Sequence, residues 1–183
     1  MPTIFTHAYC GWILGRSFFR KMPKRFWLLT ILLPVLPDFD VIAFRFGIPY
    51  EHVLGHRGIT HSLFFALLTG MCASALFFRK SGFSQKQLLG LALLFTAITA
   101  SHGIFDALTN GGKGVAFFAP FDNTRHFFEF RPIRVSPIKI QTFLGERGLR
   151  VLWSEFLWIV LPISSVGLLT MWLKSKKKRL PQK

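Results

Sequence analysis

Two histidines five residues apart flank an arginine in the run His56-Arg57-Gly58-Ile59-Thr60-His61-Ser62. Further along, His102 and Asp106 stand at i,i+4, the spacing that puts two side chains on one face of a helix. Upstream lie His7 and the two carboxylates of Pro37-Asp38-Phe39-Asp40. Imidazole and carboxylate form a hard-to-borderline donor set that suits zinc, with manganese or iron as alternatives. Six residues are the expected ligands, His7, Asp40, His56, His61, His102 and Asp106. That exceeds one closed tetrahedral site and allows one or two ions, which would activate water and clamp both oxygens of a displacement. Asp38 is then the expected general base. Arg57 is the expected contact to a phosphate or carboxylate, because its planar fork matches two oxygens.

Each signal alone has a plainer reading. A lone HxxxD pair at a membrane surface is more often a local hydrogen bond, and His7 alone in an apolar helix is more often a packed ring. The Asp38/Asp40 turn could be a helix terminus, and Thr60 or Ser62 could simply cap the next helix. His52, in Pro49-Tyr50-Glu51-His52, reads as a loop residue outside the site. The conjunction decides, since four separate stretches bring His or Asp to the ends of apolar runs.

Those runs set the fold class. Hydrophobic residues make up 51% of the 183, with 22 Phe and 5 Trp, and they cluster as in helical membrane proteins. The expected architecture is all-α, a single membrane-embedded domain over residues 1–183 with four to five helices. The runs are 3–19, 26–46, 59–78, 88–108 and 151–173. The first, short and interrupted, either spans or lies on the surface. The second carries Pro34, Pro37, Asp38 and Asp40. A buried carboxylate costs about 2.5–3.5 kcal/mol on insertion scales, so this helix should break beside a cavity. Pro162 should kink the fifth. Segment 110–150, with three prolines and the turn signal Asn110-Gly111-Gly112, is too irregular for a span and should lie outside the membrane. No basic stretch precedes the first apolar run, so no cleaved signal peptide is expected. Cys10 and Cys72 lie in apolar stretches without CxxC or Cys/His spacing and read as small buried residues, unpaired.

The net charge of +15 raises nucleic acid as a partner, but the bilayer accounts for it better. If all five runs cross, the connectors around Arg16–Arg25 and Arg79–Lys86 and the basic tail 174–183 share one side. They hold 14 of the 23 Lys and Arg and no carboxylate. By the positive-inside rule that side is cytoplasmic, tail included, and every candidate ligand gathers at the outer end. Seven basic residues in 110–150 run against the rule. No nucleic acid is expected as a partner; the juxtamembrane lysines suit anionic lipid.

His7, Pro37-Asp38-Phe39-Asp40, His56-Arg57-Gly58-Ile59-Thr60-His61-Ser62, and His102-Gly103-Ile104-Phe105-Asp106-Ala107-Leu108-Thr109-Asn110 resemble the YdjM-like family over about residues 1–140. The resemblance implies a multi-pass protein of the bacterial inner membrane, a metal-dependent hydrolase, with some members under SOS (LexA) control. A fainter similarity is to zinc-dependent phospholipase C and P1-type nucleases, which order an early His, an Asp, a His and an HxxxD along a helical bundle. This chain lacks their second clear HxxxD/E pair. What they imply is a phosphoester substrate, a small molecule or a lipid. Two rival readings are a transporter whose polar cluster binds an ion or proton in transit, and a non-catalytic membrane protein.

Overall fold

Thr3 begins the first helix, its hydroxyl accepting from the Thr6 amide at 3.4 Å at the head of α1 (Ile4–Phe18). The structure, a computed structural model, describes residues 1–137 and 140–177. A carboxylate from the far end of the chain seats this helix start. Glu155 is 1% exposed and accepts from Thr3 N at 2.7 Å, Thr3 Oγ1 at 2.6 Å and Thr6 Oγ1 at 2.6 Å. Negative charge at a helix N-terminus also meets the favourable end of its dipole. Truncating Glu155 to alanine leaves three buried donors unmatched, and we expect it to cost about 3 kcal/mol. Thermal unfolding in detergent checks this; an unchanged midpoint would show that the two ends are held together by apolar packing alone.

Pro23 precedes α2 (Lys24–Leu32), and a 3₁₀ segment follows (Leu36–Phe46), bent 49° from it. Pro34 and Pro37 lack the amide hydrogen an α-helix needs at these positions, so the helix breaks, as the sequence suggested, and the chain tightens into 3₁₀ turns. Gly47, at φ 72°, ends the segment. A short 3₁₀ turn (Ile59–His61) leads to Ser62, whose hydroxyl accepts from Phe65 N at 3.0 Å. This caps α3 (Leu63–Phe78). The third helix therefore starts later than the apolar run 59–78 implied, because Ser62 is its cap and His61 belongs to the turn before it.

Ser84 and Gln87 form a reciprocal capping box at the start of α4 (Gln85–Ala107). The α3 and α4 backbones approach closely at Gly70, where an added Cβ would lie 2.2 Å from Thr96 Oγ1. Phe26, Phe78 and Phe95, all fully buried, form the centre of the core between α2, α3 and α4. After α4 the chain is irregular to residue 137, with two isolated bridges, Thr109–Ile133 and Val115–His126. The remaining helices are α5 (Ile140–Phe143), α6 (Glu146–Glu155) and α7 (Leu161–Lys177). A π turn (Phe156–Val160) joins α6 to α7, directly before Pro162, whose missing N–H and ring disturb the preceding turn.

The chain is thus helical, with no extended sheet among the described residues. Two helices are long and apolar enough to cross a membrane, Gln85–Ala107 and Glu146–Lys176, or three if the bent pair Lys24–Leu32 and Leu36–Phe46 is one span. At 15 and 16 residues, α1 and α3 fall below the ~17–25 that a spanning helix needs. The expected four or five crossings reduce to two or three by this measure. Half of the apolar window of α4 is buried against 11% for the last helix, so α4 is central and the last helix packs at the edge, beside α1. Cys10 is buried, as expected, but Cys72 is exposed on α3, on a surface shared with Leu68, Met71 and Leu76. At the end of α1 away from His7, Arg20 donates to the Met171 carbonyl at 2.9 Å and Lys174 to that of Ser17 at 2.7 Å. The basic tail beyond Lys177 lies outside the described residues.

Candidate metal centre

His7 on α1, Asp38 and Asp40 on the 3₁₀ segment, His56 and Arg57 in the loop, His61 in its short turn, and His102 and Asp106 on α4 are all buried. They converge at one end of the helices. His7, His102 and Asp106 form one group with ligand atoms within 4.8 Å of one another; Asp38, His56 and His61 form a second. Gly103 permits this approach: a Cβ there would lie 2.8 Å from the His61 carbonyl oxygen, so a larger residue would push α4 off the loop.

The hydrogen bonds assign the ring protons. His102 Nδ1 lies 2.7 Å from the Pro34 carbonyl. A carbonyl only accepts, so Nδ1 carries the hydrogen and Nε2 presents its lone pair. His61 Nδ1 lies 3.1 Å from Thr60 Oγ1, whose own proton goes to Asp40 Oδ2 at 2.6 Å; Thr60 therefore accepts, Nδ1 donates, and Nε2 is left bare. The two Nε2 atoms face each other at 3.0 Å. Two lone pairs at that distance repel unless a cation joins them. A shared proton would satisfy that pair only. It would leave both nitrogens of His7, both oxygens of Asp38 and both of Asp106 buried without a hydrogen bond, at about 1–3 kcal/mol for each such group.

Donors bonded at ~2.0–2.2 Å to one ion stand roughly 3–3.6 Å apart. Asp38 Oδ1 is 3.3 Å from His102 Nε2, Asp106 Oδ2 is 3.6 Å from His61 Nε2, and His7 Nε2 is 3.8 Å from Asp106 Oδ1. The residues therefore fit a divalent ion. Metal-bound histidines characteristically donate their other N–H to a carboxylate or backbone carbonyl; His102 has the Pro34 carbonyl, and His61 reaches Asp40 through the Thr60 hydroxyl.

Asp38 and Asp40 differ sharply. Asp40 has both oxygens engaged: Oδ1 takes His56 Nδ1 at 2.6 Å, while Oδ2 takes the Arg57 amide at 3.0 Å and Thr60 Oγ1 at 2.6 Å, with His61 Nδ1 at ion-pair distance, 3.2 Å. Asp38 has neither oxygen engaged. Arg57 is 1% exposed and adopts φ 63°, a left-handed conformation that costs roughly 1–2 kcal/mol outside glycine. Its guanidinium turns inward. Nε lies 2.8 Å from Asp106 Oδ2, an ion pair whose N–H is not aligned as a hydrogen bond. The other two nitrogens donate to the Gly111 carbonyl at 3.0 Å and Thr109 Oγ1 at 3.3 Å.

At the rim, Arg125 donates to the His56 and Tyr50 carbonyls at 3.0 and 2.7 Å, with its guanidinium 5.0 Å from the Tyr50 ring centre. Burial pushes the Arg125 pKa below the ordinary guanidinium value and raises that of the Tyr50 phenol. Thr60, Thr109, Arg125 and the Pro34 carbonyl were not apparent as site components from the sequence; Thr60 and Thr109 alone carried a signal, standing inside the two histidine-containing motifs. His52 is exposed and caps the Leu54 amide, outside the cluster as expected.

The sequence model of a family described as YdjM inner membrane protein matches residues 1–177. The Escherichia coli (strain K12) protein named inner membrane protein YbcI is 36% identical over 163 residues, covering 88% of this chain and 92% of its own. No solved structure matches the chain.

Proposed function

The chain belongs to the YdjM family of inner membrane proteins, and from that premise we propose a membrane-bound, metal-dependent hydrolase of phosphoesters. The observation that carries the reading is the facing pair of Nε2 lone pairs on His61 and His102, 3.0 Å apart, among carboxylate oxygens of Asp38 and Asp106 that accept no hydrogen bond. His61 and His102, with Asp38 and Asp106, would hold a first ion, and His7 and His56 complete the two groups that could hold a second; zinc suits the donors best, with manganese or iron as alternatives. When bound, such ions supply Lewis acidity and lower the pKa of water.

In this reading Asp38 keeps the proton-accepting part that the sequence suggested and adds that of a ligand, whereas Asp40 leaves the ligand set. Asp40 fixes the tautomer of His56 directly and that of His61 through Thr60, and anchors the Arg57 amide. Asp38 would help hold an ion through Oδ1 and take a proton on Oδ2. Arg57 holds Asp106 in place rather than reaching substrate, because its guanidinium is already committed on three sides. The site lies at the end of apolar helices, which favours a substrate drawn from the bilayer, a phosphorylated lipid before a soluble ester.

The transporter reading has less support. Away from the site, the Thr30, Ser74 and Thr99 hydroxyls each return to a backbone carbonyl at 2.7–2.9 Å; Thr96 Oγ1 is buried and unbonded, and one such hydroxyl among the described residues does not make a path across. If all five apolar runs cross, the charge rule puts the carboxyl terminus in the cytoplasm and the site on the outer face.

The test is hydrolysis of bis(p-nitrophenyl) phosphate and of phosphatidic acid by the detergent-purified protein, with metal content measured in parallel. We expect at least one ion per chain and turnover that a chelator abolishes and zinc restores. A metal-free parent protein would overturn the whole reading. A loaded protein inactive on both substrates would overturn the phosphoester hydrolase while leaving the ion site standing.

A further inference from the structure

A cavity of about 480 Å³ lies outside the histidine cluster, lined by Asn110, Arg134, Val135, Glu146, Arg147, Arg150 and Val151. Three guanidinium groups meet one carboxylate there. Glu146 pairs with Arg150 at 3.0 Å, and among the described residues neither Arg134 nor Arg147 has a carboxylate within ion-pair distance. The walls are built: the Arg134 amide donates to Ser154 Oγ at 3.0 Å and the Val135 amide to Asn110 Oδ1 at 3.1 Å. Like charges gathered in one concavity repel, so this arrangement calls for an anion.

The cavity also sits where the last apolar helix begins, since Glu146 opens the membrane-length stretch Glu146–Lys176. One turn further, Leu149, Leu152, Trp153 and Phe156 are 69, 41, 62 and 43% exposed, and the Trp153 and Phe156 rings stack at 5.7 Å. Aromatic residues at a span's end mark the headgroup level. A ligand with phosphate in the cavity would have its chains alongside this apolar face.

We propose that the Arg134/Arg147/Arg150 cavity binds the phosphate headgroup of an anionic membrane phospholipid. Arg134 and Arg147 contact the phosphate, and Arg150, held by Glu146, shapes the wall. This accounts for three of the seven basic residues of 110–150 that run against the charge rule, Arg134, Arg147 and Arg150: they meet lipid at the membrane surface. The proposal stands apart from the hydrolase reading, because the cavity contains none of the candidate metal ligands.

The full chain in detergent, with chelator present, is titrated with short-chain phosphatidylglycerol, phosphatidylcholine or inorganic phosphate, and bound ligand is counted by native mass spectrometry. We expect saturable phosphatidylglycerol binding that Arg134→Gln/Arg147→Gln weakens about tenfold or more. Arg131→Gln, an exposed arginine outside the cavity that stacks on Phe127, should leave it unchanged. Equal binding of phosphatidylcholine, or equal loss in Arg131→Gln, would overturn the proposal in favour of general detergent-like or surface-charge association. Displacement of the lipid by millimolar inorganic phosphate would overturn it in favour of a free-phosphate site.

Discussion

His102→Ala should reduce divalent metal affinity by more than the roughly 10–100-fold that loss of a supporting partner alone typically costs. The side chain provides the one ring nitrogen that faces both His61 Nε2 at 3.0 Å and Asp38 Oδ1 at 3.3 Å, and its ring stacks on His7 at 3.9 Å. Removing it takes away a donor and releases two others. Asp40→Asn makes the comparison informative. It deletes no proposed ligand, but an amide cannot accept from His56, Thr60 and the Arg57 backbone together, so affinity should fall within that roughly 10–100-fold range. Titration of the chelated proteins with zinc, beside a size-exclusion profile that confirms folding, gives the order parent, Asp40→Asn, His102→Ala. Parent-like affinity in folded His102→Ala would remove the ring from the ion site, and weaker binding by Asp40→Asn than by His102→Ala would make Asp40 a ligand after all.

The contrast between Asp38 and Asp40 also shows where sequence reading stops. Their i,i+2 spacing says little until the backbone is known. In 3₁₀ geometry, with about three residues per turn, side chains two apart point to different sides, and so Asp38 faces the α4 and α1 donors while Asp40 faces the loop. His102 and Asp106 were legible because i,i+4 has one meaning on a helix, and His61 because its motif is dense in polar residues at the mouth of an apolar run. Glu155 was not legible: one carboxylate in an apolar stretch carries no pattern, and its partners Thr3 and Thr6 lie at the opposite end of the chain. Helix count was legible only coarsely. Apolar runs report what avoids water, whereas Pro34, Pro37 and the Ser62 cap decide how much of each run is helix. The site's backbone contributions, such as the Pro34 carbonyl beneath His102, follow from packing and leave no trace in residue type.

Arg57→Ala should be the most destabilising single change at the site in the metal-free protein. Arg57 and Asp106 are 1 and 0% exposed, and removing one partner of a buried pair while the other stays charged typically costs about 3–5 kcal/mol. At roughly 2–4 °C per kcal/mol for a chain of this size, the midpoint should fall by roughly 10 °C. Relief of the left-handed backbone does not offset this, since alanine is strained at φ 63° much as arginine is. Bound metal changes the sum: an ion on Asp106 would compensate the charge that Arg57 leaves behind, so zinc should stabilise Arg57→Ala more than it stabilises the parent. Arg57→Lys keeps a charge but not the three-way fork to Asp106, Thr109 and Gly111, and should fall between the two. Thermal unfolding of the three proteins in detergent, with chelator and then with zinc, separates the contributions. A midpoint unmoved by Arg57→Ala would mean that Asp106 is protonated in the folded state. An identical zinc shift in parent and variant would place the ion away from Asp106 and leave Arg57 with a purely structural part, tying the loop to the end of α4.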